Sequence, residues 1–271
     1  MLLRYARSLL FLPASNARAI AKARTLPCDM VILDLEDAVA DDAKEAARAG
    51  AVEALAQGFG GRIAAVRINV AGTPWHGVEM VTIKASAADY VVLPKVESAR
   101  QVKDVFSVCQ KPVIAMIESA RGVLAAVEIA ASEGCAGLFM GNNDLRKDLG
   151  IPAGAGREGL AVALQSVVLA ARAADIAVFD GVFNRLDDPA ALEAECAAGH
   201  ALGFDGKTLI HPGQVLVANA IYGPNAQALA DARRLIEAAT GGAERFDGRM
   251  IETMHVEEAR ALVARAEAVG Q

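Results

Sequence analysis

Aromatic residues are scarce in this 271-residue chain, where Phe, Tyr and Trp together make up 4%. The core must be filled by Ala, Val, Leu and Ile, within a hydrophobic fraction of 54%. Such a core suits helices packed on a parallel sheet, whose strands read as nearly continuous aliphatic runs. Cysteine is also sparse: Cys28, Cys109, Cys135 and Cys196 are scattered, form no CxxC and have no nearby histidine at ligand spacing. That excludes a disulfide framework as the simplest reading and favours a reduced, cytoplasmic protein. No Lys/Arg block interrupts a chain of net charge −6, which argues against general nucleic-acid binding. Local arginines can still set the field for an anionic substrate. No charge-free apolar stretch approaches about 18 residues, so no membrane span is expected. The start, MLLRYARSLLFLPASNARA, imitates a signal peptide, but its apolar run Leu9–Leu12 is short and stops at Pro13. No GxGxxG follows the first strand-like run, and no Ser-His-Asp or Cys-His arrangement stands at a useful spacing.

What is present is alternation. Strand-like runs are read at 8–12, 30–35, 63–68, 90–93, 113–117, 137–140, 177–180 and 207–210. Helical segments fall between them, with Ser15 and Asp41 or Asp42 as candidate caps and Asp188-Pro189 opening a helix with Pro at its first position. Eight strand–helix units within roughly 220 residues predict a (β/α)8 TIM barrel over residues 1–222. The runner-up is a doubly wound open sheet. Residues 223–271 read as a C-terminal helical extension, able to act as a lid over the active site or as an oligomer contact.

Chemistry in such a barrel sits where strands end. Two acids stand out there: Glu118 in VIAMIESARG and Asp144 in LFMGNNDL, each directly after an aliphatic run. Acids in an apolar surround need a cation, and oxygen-only ligation by two carboxylates favours Mg2+ over zinc. The bland alternative has Asp144 capping a turn and Glu118 pairing with Arg121. The run Asp34-Leu35-Glu36-Asp37 ends strand two, with Asp34 and Glu36 on one face by period-two alternation. These acids are metal or catalytic neighbours, or helix caps in solvent. Arg67 ends strand three and is a candidate clamp for a carboxylate or a developing enolate. Lys95 ends strand four, as an ion-pair partner or as a Schiff-base lysine. His211, after strand eight, is placed to order a loop or touch substrate.

In order, RSLLFLPAS, LDLEDAV, RIN, LPKVE, IESARG, GNNDL and GFDGKTLIHPGQ resemble the citrate lyase β-subunit-like family, with its malyl-CoA and citramalyl-CoA lyase relatives in the HpcH/HpaI aldolase superfamily. The resemblance covers about residues 8–252. It implies a (β/α)8 barrel and a Mg2+-dependent carbon–carbon lyase that cleaves a β-hydroxyacyl-CoA thioester into an acyl-CoA and a 2-oxoacid, with thioesterase activity as an addition. It also implies a homo-oligomer, a trimer or hexamer. By the same resemblance Glu118 and Asp144 are the Mg2+ ligands, Arg67 contacts substrate oxygens, and Glu36 and Asp37 stand beside the metal and its waters. Lys22, with Ser15, Lys44 and Arg48, lies in stretches that approach CoA phosphates. Glu252 stands where many family lyases carry an aspartate that reaches a neighbouring subunit's site. Two rival expectations stay open: a class II aldolase on free 2-oxoacids, and a citrate lyase β-type subunit working only within a complex.

Overall fold

A computed structural model describes residues 1–152 and 154–270. Eight parallel strands close into a barrel in sequence order: β1 (Ser8–Pro13), β2 (Met30–Asp34), β3 (Ile63–Arg67), β4 (Tyr90–Leu93), β5 (Val113–Ile117), β6 (Cys135–Met140), β7 (Ala177–Asp180) and β8 (Gly206–Leu209). The predicted barrel is borne out, and β1 pairs back onto β8 to complete it. The open-sheet alternative falls.

Alternation along each strand divides the core in two. Leu9, Met30, Ile32, Ala65, Ile114, Phe139 and Phe179 fill the barrel interior, while Leu10, Val31, Leu33, Val66, Ile117 and Leu138 face the surrounding helices. Phe139 packs edge-on against Phe11 and Phe179 at centroid distances of 6.3 and 5.4 Å. Three of the chain's few aromatics thus cluster inside the barrel, where their size fills what aliphatics would leave empty. Continuing the same period by two residues carries Asp34, Arg67 and Glu118 onto the inward face at the strands' C-terminal ends.

The helices are α1 (Ala17–Ala23), α2 (Lys44–Gln57), α3 (His76–Lys84), α4 (Ala99–Cys109), α5 (Ala120–Leu124), α6 (Ala126–Ala130), α7 (Asn142–Asp148), α8 (Ala161–Ala173), α9 (Pro189–Leu202) and α10 (Val215–Tyr222). Several details differ from the sequence reading. Asn16, not Ser15, caps α1, because its side chain accepts from Ala19 N. Neither Asp41 nor Asp42 caps α2; both lie in a 3-10 turn ahead of it. The helix after β5 is broken at Ala125 into α5 and α6. The unforeseen α7 begins directly after Gly141, so Asp144 sits in a helical first turn, where an acidic side chain complements the exposed N–H groups.

Beyond α10 come α11 (Ala226–Ala238), a two-stranded hairpin β9 (Glu244–Phe246) and β10 (Arg249–Ile251), and α12 (Thr253–Ala268). The hairpin was not anticipated, although Asp247-Gly248 takes positive φ at both positions (48° and 79°), as a two-residue hairpin turn requires. Arg265 near the end of α12 donates to the carbonyl of Asp205, just ahead of β8. That end of the extension therefore docks on the face of the barrel opposite the strand C-termini.

Candidate active site

A cavity of about 460 Å3 opens at the C-terminal ends of the strands. Asp34, Asp37, Arg67, Glu118 and Asp144 all line it, together with an apolar wall that includes Phe11, Met116 and Met140. The fold thus brings five of the sequence-predicted residues to one space.

Arg67 is the pivot. Its Nε and Nη2 bind both oxygens of Asp34 at 2.6 Å each, the fork-to-fork pairing that only a guanidinium can make. Nη1 lies 2.9 Å from Glu36 Oε2, an ion pair without hydrogen-bond alignment, and 3.8 Å from Asp37. The guanidinium also stacks on the Phe11 ring, 5.0 Å from its centroid. Burial opposes the guanidinium's charge, but the Asp34 bonds and the surrounding acids outweigh it and raise its pKa. Arg67 is therefore a fixed cation with little freedom to swing. Asp34 also shapes the backbone, since its oxygens accept from the N–H groups of Glu36 and Ala38 and fold the LDLED loop around the arginine.

Glu36 is 5% exposed and burial raises its pKa, with Asp37 adding to the shift while Arg67 and Lys95 oppose it. Asp37 is the exposed member, its side chain 61% open to solvent. Glu36 and Asp37 are thus an inner and an outer acid. Asn69 of the RIN segment is a brace: its side chain donates to Leu35 O at 2.8 Å and to Glu79 Oε1 at 2.6 Å.

Glu118 and Gly141 follow β5 and β6, whose last residues, Ile117 and Met140, are in register. A Cβ at Gly141 would stand 2.3 Å from Glu118 Cβ and 2.6 Å from its Oε2, so only glycine lets the two strand ends close. Glu118 accepts from Lys95 N at 2.6 Å. Burial pushes its carboxyl up to about 8; Glu36 and Asp144 add to the shift, and the Lys95 N–H and Arg67 oppose it. It does not pair with Arg121, which lies 3.8 Å from Glu97 instead. Among the described residues no group of three His, Cys, Asp or Glu side chains could hold an ion. Glu118 and Asp144 line the same cavity, and two carboxylates with the remaining positions left to water and substrate would fit Mg2+ and not a closed zinc site.

Residues 7–212 match the family described as HpcH/HpaI aldolase/citrate lyase, and residues 156–271 match C-C bond lyases of the TIM-barrel fold. The (3S)-malyl-CoA thioesterase of Cereibacter sphaeroides is 41% identical, over 97% of this chain and 95% of the relative. The crystal structure of protein CitE from Mycobacterium tuberculosis in complex with magnesium, acetoacetate and coenzyme A superposes with a TM-score of 0.83 at 35% identity, covering 98% of this chain and all of that one. A citrate lyase β subunit from the same organism, complexed with oxaloacetate and magnesium, gives 0.74 at 36% identity over 83% of this chain and 100% of that one. The chain belongs to the HpcH/HpaI aldolase/citrate lyase family.

Against the family's pattern, some predicted residues stand apart from the cavity. Lys22 is exposed on α1 and does not line it. Lys44 is 4% exposed and corrects the reading that placed it toward CoA phosphates. Its ammonium is consumed by the carbonyls of Leu35 (2.8 Å) and Glu36 (2.9 Å) and sits 4.9 Å over the Trp75 ring. His211 orders a loop: its Nδ1 accepts from Gly213 N at 3.1 Å, and only its neighbour Ile210 reaches the cavity. Glu252 lies outside its own chain's cavity and caps α12, with His255 Nδ1 accepting from Glu252 N at 2.9 Å. Among the described residues, the extension accordingly contributes none to its own chain's cavity wall.

Sequence reasoning passed over Thr208, Asn142, Asn143 and Asn184, which also line the cavity. Asn143 and Asn184 join across it, Asn184 Nδ2 donating to Asn143 Oδ1 at 2.7 Å. Thr208 was legible by alternation with Lys207, since adjacent strand residues face opposite sides; Asn184, in a loop, left no periodic signal. Lys207 itself is fully buried on the outer side and bonds Asp180 Oδ2 (2.9 Å), Gly181 O (2.6 Å) and Glu195 Oε1 (2.8 Å). Arg157 completes this network at Asp180.

Proposed function

We propose that this enzyme is a Mg2+-dependent carbon–carbon lyase acting on a β-hydroxyacyl-CoA thioester of the malyl-CoA or citramalyl-CoA type, releasing an acyl-CoA and a 2-oxoacid. The observation that carries the reading is the convergence of Glu118, Asp144 and the Asp34-locked Arg67 on one cavity wall. Glu118 and Asp144 would hold the ion. When bound, Mg2+ would supply positive charge to the half of the substrate that becomes the 2-oxoacid, easing loss of its hydroxyl proton. Arg67 presents a preorganised cation to the oxygen that gains negative charge as the carbon–carbon bond breaks, and its fixation by Asp34 means little reorganisation at that moment. Phe11, Met116 and Met140 keep water from that side of the cavity. Cleavage needs a base to take the proton of the β-hydroxyl and a general acid to deliver one to the enolate carbon. Glu252 fills the general acid's role from a neighbouring subunit in a homo-oligomer, with residues 1–222 as the catalytic barrel and 223–271 as the inter-subunit contact.

A second reading, hydrolysis of the same thioester, is favoured by one specific observation: the 41% identity, over 97% of this chain, to the (3S)-malyl-CoA thioesterase of Cereibacter sphaeroides. Incubating the purified chain with a panel of CoA thioesters and Mg2+, read by mass spectrometry, separates the two. Cleavage yields a shorter acyl-CoA and a 2-oxoacid, whereas hydrolysis yields free CoA and the intact hydroxyacid. Turnover of free 2-oxoacids without CoA would favour the class II aldolase reading. Failure of the isolated chain on every thioester would favour a subunit that works only in a complex.

A further inference from the structure

Lys95 holds the one non-glycine left-handed backbone among the described residues at the cavity mouth, with φ at 53°. A residue with a Cβ enters that region at a cost, and such strain persists where the surroundings over-determine it. Two contacts depend on the turn. The main-chain N–H donates to Glu118 Oε1 at 2.6 Å, and the ammonium reaches back to Glu36 Oε1 at 3.1 Å. Gln101 Nε2 donates to the Lys95 carbonyl at 3.3 Å and steadies the turn from α4. Because β4 lies between β3 and β5, Lys95 stands between the arginine cluster and the metal-type acid.

The charges around the cavity give this position its importance. With all five carboxyls ionised, as a bound ion would require of its ligands, Asp34, Glu36, Asp37, Glu118 and Asp144 face the two cations Arg67 and Lys95, leaving three negative charges. A divalent ion would leave one. An anionic 2-oxoacid or enolate must still be accepted there, and deleting the Lys95 ammonium adds a full negative charge to its surroundings.

We propose that Lys95 is a positioning residue whose backbone orients Glu118, while its side chain separately holds Glu36 and offsets the negative field that an anionic substrate meets. The inference rests on the Mg2+-dependent reading above. It also gives Lys95 a part other than that of a Schiff-base nucleophile, since its ammonium is engaged by Glu36 instead of lining the cavity.

The test compares Lys95→Gly, Lys95→Met and Lys95→Arg in the full chain by apo melting temperature, Mg2+ calorimetry, and kcat and KM. Glycine keeps the N–H and accommodates the left-handed turn. Its melting temperature should fall by no more than about 2 °C, its Mg2+ affinity should hold or rise because a nearby positive charge is removed, and kcat/KM should drop at least about tenfold. The arginine variant should recover part of that loss, and the methionine variant should repeat it. Near wild-type kcat/KM in Lys95→Gly, a tenfold loss of its Mg2+ affinity, or kinetic losses that follow melting temperature would each overturn the proposal. If the wild type turns over no thioester, the reaction assignment fails on its own. Lys95 is then judged by oxalate, a dianionic 2-oxoacid enolate mimic, titrated with Mg2+ present. The Lys95→Gly variant should bind it at least about tenfold more weakly, and equal binding would overturn the proposal.

Discussion

At the scale of single residues, the site works by fixing charge before substrate arrives. Arg67 is held on two sides by Asp34 and on a third by Glu36, so its guanidinium geometry matters as much as its charge. Arg67→Lys should keep the charge but lose the fork, lowering kcat/KM by about 10²- to 10³-fold while Mg2+ affinity, measured by calorimetry, stays close to wild type. An unchanged kcat/KM would show that the fork is dispensable. Glu118 makes a pH-dependent prediction. Its carboxyl, raised from 4.5 to about 8 in the folded apo protein, keeps a proton that the unfolded chain has already lost. Its contribution to apo stability is therefore fully present below the ordinary glutamate range and disappears as pH rises through about 8. Mg2+ must displace that proton, so its affinity should strengthen as pH rises from 6 to 8 and then level off. Calorimetry in buffers of different ionisation enthalpy should record proton release below pH 8. An affinity flat from pH 6 to 9 would remove Glu118 from the ion.

At the scale of elements, the site was legible wherever a strand carried its alternation to the end. Met30, Ile32 and Asp34, or Ile114, Met116 and Glu118, show a two-residue period that points the final acid inward, and this pattern is local in sequence. Long-range partners were not legible. The family resemblance placed Lys44 in a stretch that approaches CoA phosphates, yet two carbonyls and Trp75 bury it. Lys207 and Asp180 meet Arg157 and Glu195 through β7, β8, α9 and a distant loop, contacts that no spacing rule encodes. The hairpin did leave a signal in Asp247-Gly248 that alternation-based reading passed over. The tightest element-level constraint is the closure of β5 on β6 at Gly141. Gly141→Ala should push Glu118 aside, cost about 1–3 kcal/mol in denaturant unfolding, and weaken Mg2+ binding at least about tenfold. Unaltered Mg2+ binding in a folded variant would mean that Glu118 has more room than the closure implies.

At the scale of the whole molecule, the barrel carries its cavity, with Arg67, Glu118 and Asp144, at one end while α12 is anchored at the other through Arg265 and Asp205. Under the proposed reading the extension's acid, Glu252, which does not line its own chain's cavity, serves that of another copy of the chain. Mixing Glu252→Ala and Arg67→Ala chains should therefore restore activity, to about a quarter of wild type for random equal mixing. No recovery in confirmed mixed oligomers would count against a shared site. The central claim is that Glu118 and Asp144 hold Mg2+ for cleavage of a CoA thioester. Its most direct test is Mg2+-dependent turnover of malyl-CoA and citramalyl-CoA by wild type, Glu118→Gln and Asp144→Asn, with products read by mass spectrometry and Mg2+ binding read by calorimetry on the same preparations. The account predicts carbon–carbon cleavage by wild type that stops with EDTA and returns with Mg2+, and joint loss of ion binding and turnover in both variants. Turnover that survives EDTA, or variants that keep both Mg2+ binding and cleavage, would contradict it.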